Sequence, residues 1–190
     1  MLSSRDARLR RLPRATNSHM EQTLAIRIVD ATEADLAAVA ELAAVIWRRH
    51  YPGIITPGQI EYMLEHGYSH EALLRFVAEP GAGLLLALMD KRPIGFAAYH
   101  RTDHNELKLE KLYVHQDHQG QGVGRRLIAR VEAAAAAQGL DTLILNVNKN
   151  NVQALRVYEA SGFAVREAVV IDIGAGYVMD DYVMAKRLVR

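Results

Sequence analysis

The sequence contains no cysteine among its 190 residues. Disulfides, thiolate metal sites and a cysteine nucleophile are therefore excluded, and this usage is typical of a reducing compartment such as the cytoplasm. The sequence also lacks an apolar run near the roughly 18 residues that span a bilayer. Its formal net charge of +1 creates no field that would attract nucleic acid or a membrane surface. We therefore expect a cytoplasmic protein without a nucleic-acid or membrane partner.

The remaining composition is ordinary for a globular domain, with 50% hydrophobic and 24% charged residues. The length suffices for one domain with a full core. Residues 1–20 differ, because they hold five arginines and a single acid, Asp6. Without an apolar segment they are not a secretory signal. We expect a disordered leader or a cloning-derived tail there, with a transit peptide as the alternative, and a single domain at residues 21–190.

Apolar periodicity and turn residues predict an alternating order of strands and helices. Three consecutive strands joined by short turns predict an antiparallel meander in the middle of the chain. A continuous apolar segment near residue 145 is typical of a fully buried strand. The predicted strands cover residues 24–29, 84–89, 94–101, 106–114, 142–147, 163–173 and 177–188, and the predicted helices cover residues 33–49, 57–66, a short segment after Ser69, 126–137 and 151–161.

The most informative segment joins the strand at residues 106–114 to the long helix that follows. It contains glycine at three alternating positions, and glycine permits a positive φ and leaves no Cβ in the way of a ligand. The first amides of a helix lack an internal acceptor and point outward, where the helix dipole adds positive potential. The segment therefore predicts a phosphate-binding loop. Its residues are Gln119, Gly120, Gln121, Gly122, Val123, Gly124 and Arg125.

Two common phosphate-binding loops do not fit this segment. A dinucleotide-binding loop has the spacing Gly-x-Gly-x-x-Gly after the first strand of a domain, but here Arg125 stands in place of the third glycine and several strands precede the loop. A Walker loop ends in Gly-Lys followed by serine or threonine, and no such sequence follows Gly120. The pattern that remains is Gln-x-x-Gly-x-Gly, at Gln119, Gly122 and Gly124.

This pattern resembles the coenzyme A pyrophosphate loop of the GNAT superfamily of N-acetyltransferases. Upstream, residues 112–114 resemble the family's splayed strand, which pairs with the pantetheine arm. Downstream, residues 151–163 resemble its Asn-x-x-Ala-x-x-x-Tyr-x-x-x-Gly-Phe helix. The resemblance covers roughly residues 24–188. The segments 46–55 and 180–186 are similar to a bacterial branch that includes PaiA-type polyamine acetyltransferases.

The resemblance implies an α+β fold of three layers, with a mixed, twisted sheet splayed at the acetyl-CoA site. It also implies an enzyme that moves an acetyl group from acetyl-CoA to a primary amine by direct attack in a ternary complex, without a metal. We expect a small-molecule acceptor such as a polyamine, and a homodimer. The alternatives are a protein or peptide N-acetyltransferase and a coenzyme A-binding regulatory module without turnover.

Site residues follow from the same resemblance. Tyr158 would donate a proton to the coenzyme A sulfur, and Asn151 would both cap its helix and contact pantetheine. Glu110 is the predicted base, because strand alternation would place it on the same face as Leu112 and Val114. Its rivals are Asp181, Glu106, His100 and water alone. The residues predicted to bind acetyl-CoA are Leu112, Tyr113, Val114, the loop from Gln119 to Arg125, Asn151 and Tyr158.

Each assignment also has a simpler interpretation. Tyr158 could be a buried tyrosine with a satisfied hydroxyl, Glu110 a solvent-facing carboxylate, and the glycine loop a plain connection. Histidines at positions 100, 104, 115 and 118 lack the helical spacing of a zinc site, so we expect no metal. Several aromatic residues are candidates either for the walls of an acceptor pocket or for ordinary core positions, namely Trp47, Tyr51, Tyr62, Tyr177 and Tyr182.

Overall fold

One sheet of seven strands organises the structure, a computed structural model that describes residues 25–188. The predicted leader at residues 1–20 lies outside these residues. None of the helices within them is long and apolar enough to cross a membrane. The strands are β1 (Arg27–Asp30), β2 (Gly83–Met89), β3 (Arg92–Arg101), β4 (Leu107–Val114), β5 (Thr142–Asn148), β6 (Ala164–Gly174) and β7 (Tyr177–Arg187). The helices are α1 (Leu36–His50), α2 (Pro57–Gly67), α3 (His70–Ala78), α4 (Val123–Ala137) and α5 (Val152–Ala160), with 3-10 turns at Glu33–Asp35 and Gln116–His118.

The sheet is mixed, with the strand order β1-β2-β3-β4-β5-β7-β6. The predicted meander is confirmed, because β2, β3 and β4 pair antiparallel. β4 and β5 are parallel neighbours, and they pair only from Leu107 to Leu109 against Leu143 to Leu145. Beyond Leu109 the two strands separate, so the end of β4 has no partner strand on that side and a V-shaped gap opens. The predicted splay of the sheet is therefore confirmed.

Two apolar cores, one on each face of the sheet, hold the three layers together. On one face, α4 packs Leu127 against Leu143 of β5, and α5 lies on the same side. On the other face, α1, α3 and β3 bury Trp47, Phe76 and Phe96. Full burial of one such side chain contributes about 1.5 to 3 kcal/mol. These cores, rather than the exposed ion pairs, stabilise the walls of the gap.

Side-chain caps fix where three of the helices begin. Thr56 Oγ1 accepts a hydrogen bond from the backbone N–H of Gln59 at 3.2 Å at the start of α2. Ser69 and Asn151 have the same role at α3 and α5. Thr32 begins the 3-10 turn that precedes α1. The cap of α5 places a polar side chain beside the V-shaped gap.

A β-bulge in β4 shows that the predicted orientation of Glu110 is wrong. Leu109 and Lys111 face consecutive residues of β3, so Glu110 has no residue opposite it. An extra residue in one strand reverses the alternation of side chains beyond it. Glu110 therefore does not share the face of Leu112 and Val114, which pack into the core on the α4 side. Its carboxylate instead pairs with a cation of α3, on the opposite face.

Candidate active site

A cleft of about 770 Å³ occupies the gap between β4 and β5. Its walls come from the end of β4, the glycine loop, α4 and α5 on one side, and from α1, α2 and the β6–β7 hairpin on the other. Most of the predicted site residues line it, namely Glu110, Leu112, Tyr113, Val114, Gln119, Gly120, Gly122, Val123, Gly124, Arg125, Asn151 and Tyr158. Gln121 is the exception, because its side chain donates to the carbonyl of Asp117 at 3.2 Å.

The glycine loop presents backbone donors to the cleft. Gly120 and Gly122 have φ values of +74° and +77°, a conformation that strains any residue with a Cβ. A Cβ at either position would meet no described atom within 4 Å, so the backbone there is open to a ligand. Gly122 precedes α4, and the backbone N–H of Arg126 is the first to bond back to its carbonyl. The amides before Arg126 therefore have no intrahelical acceptor and fit a pyrophosphate.

The side chain of Gln119 ties this loop to its neighbours. Its amide nitrogen donates to the carbonyl of Val114 at 3.1 Å, and its oxygen accepts from Gln153 at 3.1 Å. These two bonds link the end of β4, the loop and α5 across the open end of the gap. The glutamine of the Gln-x-x-Gly-x-Gly pattern thus positions the loop, and the contacts to a ligand are left to the backbone.

The arginines at the start of α4 divide into two groups. Arg125 lines the cleft at the start of α4. The positive end of the helix dipole repels its positive charge, and an anion bound there would offset that repulsion. Arg126 donates to the carbonyl of Ile26 at 2.6 Å, and Arg130 donates to the carbonyl of Ile28 at 3.2 Å. These two side chains hold the segment of β1 against α4. Arg125 alone among the three is therefore directed to the ligand site.

Tyr158 extends from α5 into the cleft with its ring half-buried. The ring packs edge-on against Phe163, with centroids 5.8 Å apart. Its hydroxyl has no hydrogen bond to any of residues 25–188, so the simpler interpretation of a satisfied tyrosine does not hold there. Burial raises the pKa of Tyr158 to about 12. The hydroxyl therefore keeps its proton at neutral pH and has that proton available for a ligand.

A group of four aromatic side chains forms a second wall of the cleft: Trp47, Tyr51, Tyr68 and Tyr113. The Nε1 of Trp47 donates to the Tyr68 hydroxyl at 2.9 Å, and the hydroxyls of Tyr51 and Tyr113 are 3.1 Å apart. Burial raises the pKa of all three tyrosines well above the usual value. Trp47 and Tyr51, for which a pocket wall and a core position were both open, line the cleft and are also buried in the core beside α1. Tyr68 was missed, because no pattern marks it in the sequence.

Asn151 joins α5 to the end of α1. Its Oδ1 accepts from the backbone N–H of Ala154 at 3.2 Å and lies 3.2 Å from Nε2 of His50. The predicted cap is therefore present, while the predicted contact with pantetheine stays a prediction. His50 was not predicted, and it lines the cleft beside the aromatic wall.

Glu110 and Lys111 both line the cleft, and other groups compensate the charge of Glu110. Its Oε2 lies 3.0 Å from Nζ of Lys108, and its Oε1 lies 3.9 Å from Arg75. Burial favours the neutral acid, but the charges of Lys108 and Lys111 prevail and lower the pKa of Glu110. The Lys111 ammonium lies 4.4 Å from the ring centroid of Tyr68, and burial lowers its pKa to about 8. A carboxylate held ionised in this way is a weak proton acceptor.

Asp181 is the carboxylate of the cleft with no cation of the described chain within 4 Å. It lies on β7 opposite Asn148 of β5, and only 4% of its surface is exposed. Its Oδ1 has no hydrogen-bond partner among residues 25–188. The neighbouring Lys149 pairs with Asp180 instead. Burial and the charge of Asp180 raise the pKa of Asp181 to about 6.

The other predicted rivals lie outside the cleft. Glu106 pairs with Arg166 at 2.8 Å, and burial lowers the pKa of His100. Of the four histidines considered for a metal site, His118 lines the cleft. In the part of the chain that the structure describes, no three histidine or acidic side chains are grouped in a way that could hold a metal ion.

The chain is similar to known acetyltransferases over most of its length. The family model described as "Acetyltransferase (GNAT) family" matches residues 41–163. An uncharacterized N-acetyltransferase of Mycobacterium tuberculosis is 32% identical over 152 residues, which cover 78% of this chain and 97% of that protein. The spermidine N(1)-acetyltransferase of Thermoplasma acidophilum is 26% identical over 150 residues, which cover 77% of this chain and 90% of that protein.

Solved structures share the fold. The crystal structure of PaiA N-acetyltransferase from Thermoplasma acidophilum in complex with coenzyme A gives a TM-score of 0.74 at 25% identity, over 86% of this chain and 99% of that one. A probable acetyltransferase from Staphylococcus epidermidis gives 0.73 at 17% identity, over 87% and 100%, a likeness that concerns the fold alone. The predicted fold class, α+β with a mixed sheet splayed at the ligand site, is confirmed.

Proposed function

Because the chain belongs to the GNAT family and is an acetyl-CoA-dependent N-acetyltransferase, we propose that it acetylates a small aliphatic primary amine such as a polyamine. The observation that carries this proposal is the acceptor side of the cleft, defined as the part bounded by α1, α2 and the β6–β7 hairpin. There, apolar side chains line the cleft together with one uncompensated carboxylate, Asp181. The apolar residues are Met63, Ile171, Ile173 and Met179.

An alkyl chain that ends in an ammonium group matches both features of the acceptor side. Its methylene groups would contact the apolar side chains. Its positive charge would compensate the negative charge of Asp181, because a buried carboxylate is unfavourable without an opposite charge beside it. The similarity to a spermidine acetyltransferase over 77% of the chain supports the same acceptor class. A peptide would bring additional backbone donors and acceptors, each of which needs a partner when buried.

The cofactor side of the cleft, defined as the end of β4, the glycine loop, α4 and α5, fits acetyl-CoA. We propose that the amides from Gln119 to Arg125 hold the pyrophosphate, and that the unpaired edge of β4 from Leu112 to Val114 holds the pantetheine arm beside Asn151. Acetyl-CoA supplies an activated acetyl group. The protonated hydroxyl of Tyr158 is the donor that this side offers to the leaving sulfur. Glu110 stays a prediction as the base, and its ion pairs argue against that role.

The proposal includes the predicted homodimer. β6 forms an edge of the sheet and is solvent-exposed along most of its length. Val165 and Val170 expose 48% and 67% of their surfaces there, and an unpaired apolar edge strand favours pairing with another chain. Light scattering should then give twice the mass of one chain, and a monomer at micromolar concentration would contradict this part of the proposal.

The test of the acceptor is amine-dependent release of thiol from acetyl-CoA. We expect turnover with putrescine, spermidine and alkyl monoamines, increasing with the number of methylene groups because longer chains bury more apolar surface. The matched controls are the forms of the same amines in which every primary amine is acetylated, so that no reacting ammonium remains. Faster turnover with peptide N-termini than with every alkyl amine would contradict the proposed acceptor class.

A further inference from the structure

The acceptor must lose a proton before it can attack the thioester. A primary alkyl amine has a pKa of about 10, so at neutral pH it arrives as an ammonium ion without a free lone pair. A group on the acceptor side has to take that proton. Among the described residues, two carboxylates line the cleft, Glu110 and Asp181.

The surroundings of the two carboxylates differ in charge. Glu110 lies between Lys108 and Arg75, at 3.0 and 3.9 Å. These cations stabilise its ionised form and would repel an incoming ammonium. Asp181 has no such neighbour within 4 Å, because Lys149 binds Asp180. An ammonium is therefore attracted to Asp181 rather than to Glu110.

The burial of Asp181 makes its unpartnered oxygen informative. Only 4% of the residue is exposed, and Oδ1 accepts no hydrogen bond from residues 25–188. Leaving a buried carboxylate oxygen without a donor is unfavourable, so protein interiors normally supply one. A purely structural aspartate would have such a donor in the fold. Asp181 instead lines a ligand cleft, where the substrate can bring the donor.

Tyr51, Tyr158 and Asp181 line the same cleft. Burial and Tyr113 raise the pKa of Tyr51 most, and the negative forms of Tyr158 and Asp181 raise it further. The proposed proton donor and the uncompensated carboxylate therefore border the same cleft as the Tyr51 hydroxyl. A nitrogen held by Asp181 would lie in the same part of the cleft as Tyr158, which direct transfer requires.

We propose that Asp181 binds the ammonium of the acceptor and takes its proton, and that it is the catalytic base of this enzyme. The role rests on the proposed acetylation of an alkyl amine.

The protons of the reaction balance with two groups of the chain. Asp181 takes one proton from the ammonium and returns it to solvent. The neutral nitrogen forms a C–N bond to the acetyl carbon while the C–S bond breaks, and Tyr158 gives its proton to the sulfur. The second proton that leaves the nitrogen restores the Tyr158 hydroxyl. Each amide formed therefore releases one proton.

The groups that face Asp181 determine the pH range of this role. Burial and Asp180 raise its pKa, whereas Lys108 on β4 and Lys149 beside α5 lower it. Tyr51 of α1 contributes a neutral hydroxyl, because its own pKa lies well above neutrality. The balance gives Asp181 a pKa of about 6, so the base is ionised at pH 7. Activity should fall as the pH drops through about 6.

Asp181→Asn tests the role, and Asp172→Asn is its matched control. The control removes the same charge from an exposed residue of the same hairpin, and the asparagine keeps the oxygen that accepts from the backbone N–H of Gly174. We expect Asp181→Asn to lower kcat/KM at pH 7 by about 100-fold and to replace the break in the pH profile near pH 6 with a rise that continues to about pH 10. Part of the activity should return near pH 10, where the amine is already neutral. Acetyl-CoA affinity by calorimetry should not change, and Asp172→Asn should keep kcat/KM within about twofold.

Three results would overturn the assignment. Turnover by Asp181→Asn equal to that of an active wild type would exclude the base and leave the acceptor proposal intact. Lost activity that comes with lost acetyl-CoA affinity and no recovery at high pH would show a structural role. A wild type without thiol release for any amine would overturn the acceptor proposal, and this role with it.

Discussion

The two sides of the cleft differ in which part of the chain meets the ligand. The cofactor side offers backbone: the loop around Gly120 and Gly122, the first amides of α4 and the unpaired edge of β4. The acceptor side offers side chains from distant elements, among them Trp47 of α1 and Asp181 of β7. Backbone donors are fixed by local conformation, whereas side-chain positions depend on long-range packing. A fold built in this way can keep one shared ligand while its acceptor changes.

The largest effect should come from a change to the backbone of the cofactor side. Gly122→Val places a β-branched residue at a φ of +77°, which only glycine adopts without strain. The loop should move to relieve that strain, and the new side chain would project into open space in front of the amides. Loss of one or two charge-assisted hydrogen bonds should weaken acetyl-CoA binding by about 100-fold or more, measured by calorimetry.

The control for this change is Gly139→Val, at the other end of α4. Gly139 has a φ of +72° and equally open space around a Cβ, but it lies away from the cleft. Both variants should lose stability to a similar degree, about 1 to 2 kcal/mol. Equal acetyl-CoA affinity in the two variants would contradict the proposed role of the loop.

Tyr158→Phe tests the boundary between the two sides. The variant keeps the ring that packs on Phe163 and removes only the hydroxyl. We expect kcat to fall by about 100-fold with little change in acetyl-CoA affinity, because the sulfur loses its proton donor. In the wild type, deprotonation of the Tyr158 hydroxyl should not lower activity below about pH 11, because the pKa of this group is about 12.

Tyr177→Phe is the matched control, because its hydroxyl packs beside Gly58 outside the cleft. Its kcat should stay within about twofold of the wild type. If Tyr158→Phe retained full kcat over the same pH range, solvent would be the proton donor and the assignment of Tyr158 would fail.

The cofactor side could be predicted from the sequence because its geometry is local. Glycines at positions 120 and 122 impose left-handed backbone, and Asn151 caps the helix that it begins. Each feature depends on residues within one turn, and the spacing therefore indicated the loop and both flanking elements, whereas Tyr158 was implied by the resemblance to the family. The antiparallel pairing of β2, β3 and β4 and the β6–β7 hairpin followed from periodicity and turns, and the gap between β4 and β5 was implied by the resemblance.

The acceptor side could not be predicted in the same way. The bulge beside Glu110 depends on the pairing of β3 with β4, and simple alternation cannot reveal an extra residue in one strand. Asp181 was only a rival base, because its burial and the diversion of Lys149 to Asp180 arise from packing. Tyr68 joined the aromatic wall through a hydrogen bond to Trp47, 21 residues earlier. Contacts of this kind leave no spacing in the sequence.

The smallest effect concerns stability and should distinguish the two sides again. Burial raises the pKa of Asp181 from 3.8 to about 6, so the folded chain binds more protons than the unfolded chain between those values. This group therefore makes the wild type less stable as the pH rises from about 4 to 6. Asp181→Asn removes the loss of stability that this ionisation causes. We expect it to be more stable than the wild type at pH 7 by about 1 to 2 kcal/mol, after allowance for solvent in the open cleft.

Denaturant unfolding at pH 7 and pH 4 provides the measurement. The difference between Asp181→Asn and the wild type should nearly vanish at pH 4, where the wild-type carboxyl is protonated. Asp172→Asn should show no gain at either pH, because the side chain that it changes is exposed. A less stable Asp181→Asn at pH 7 would mean that the folded chain compensates this carboxylate. The carboxylate of Asp181 would then need no ammonium from the substrate. Like that of Glu110, its charge would already be compensated by groups of the chain, and the acceptor side would hold no free carboxylate for a cation.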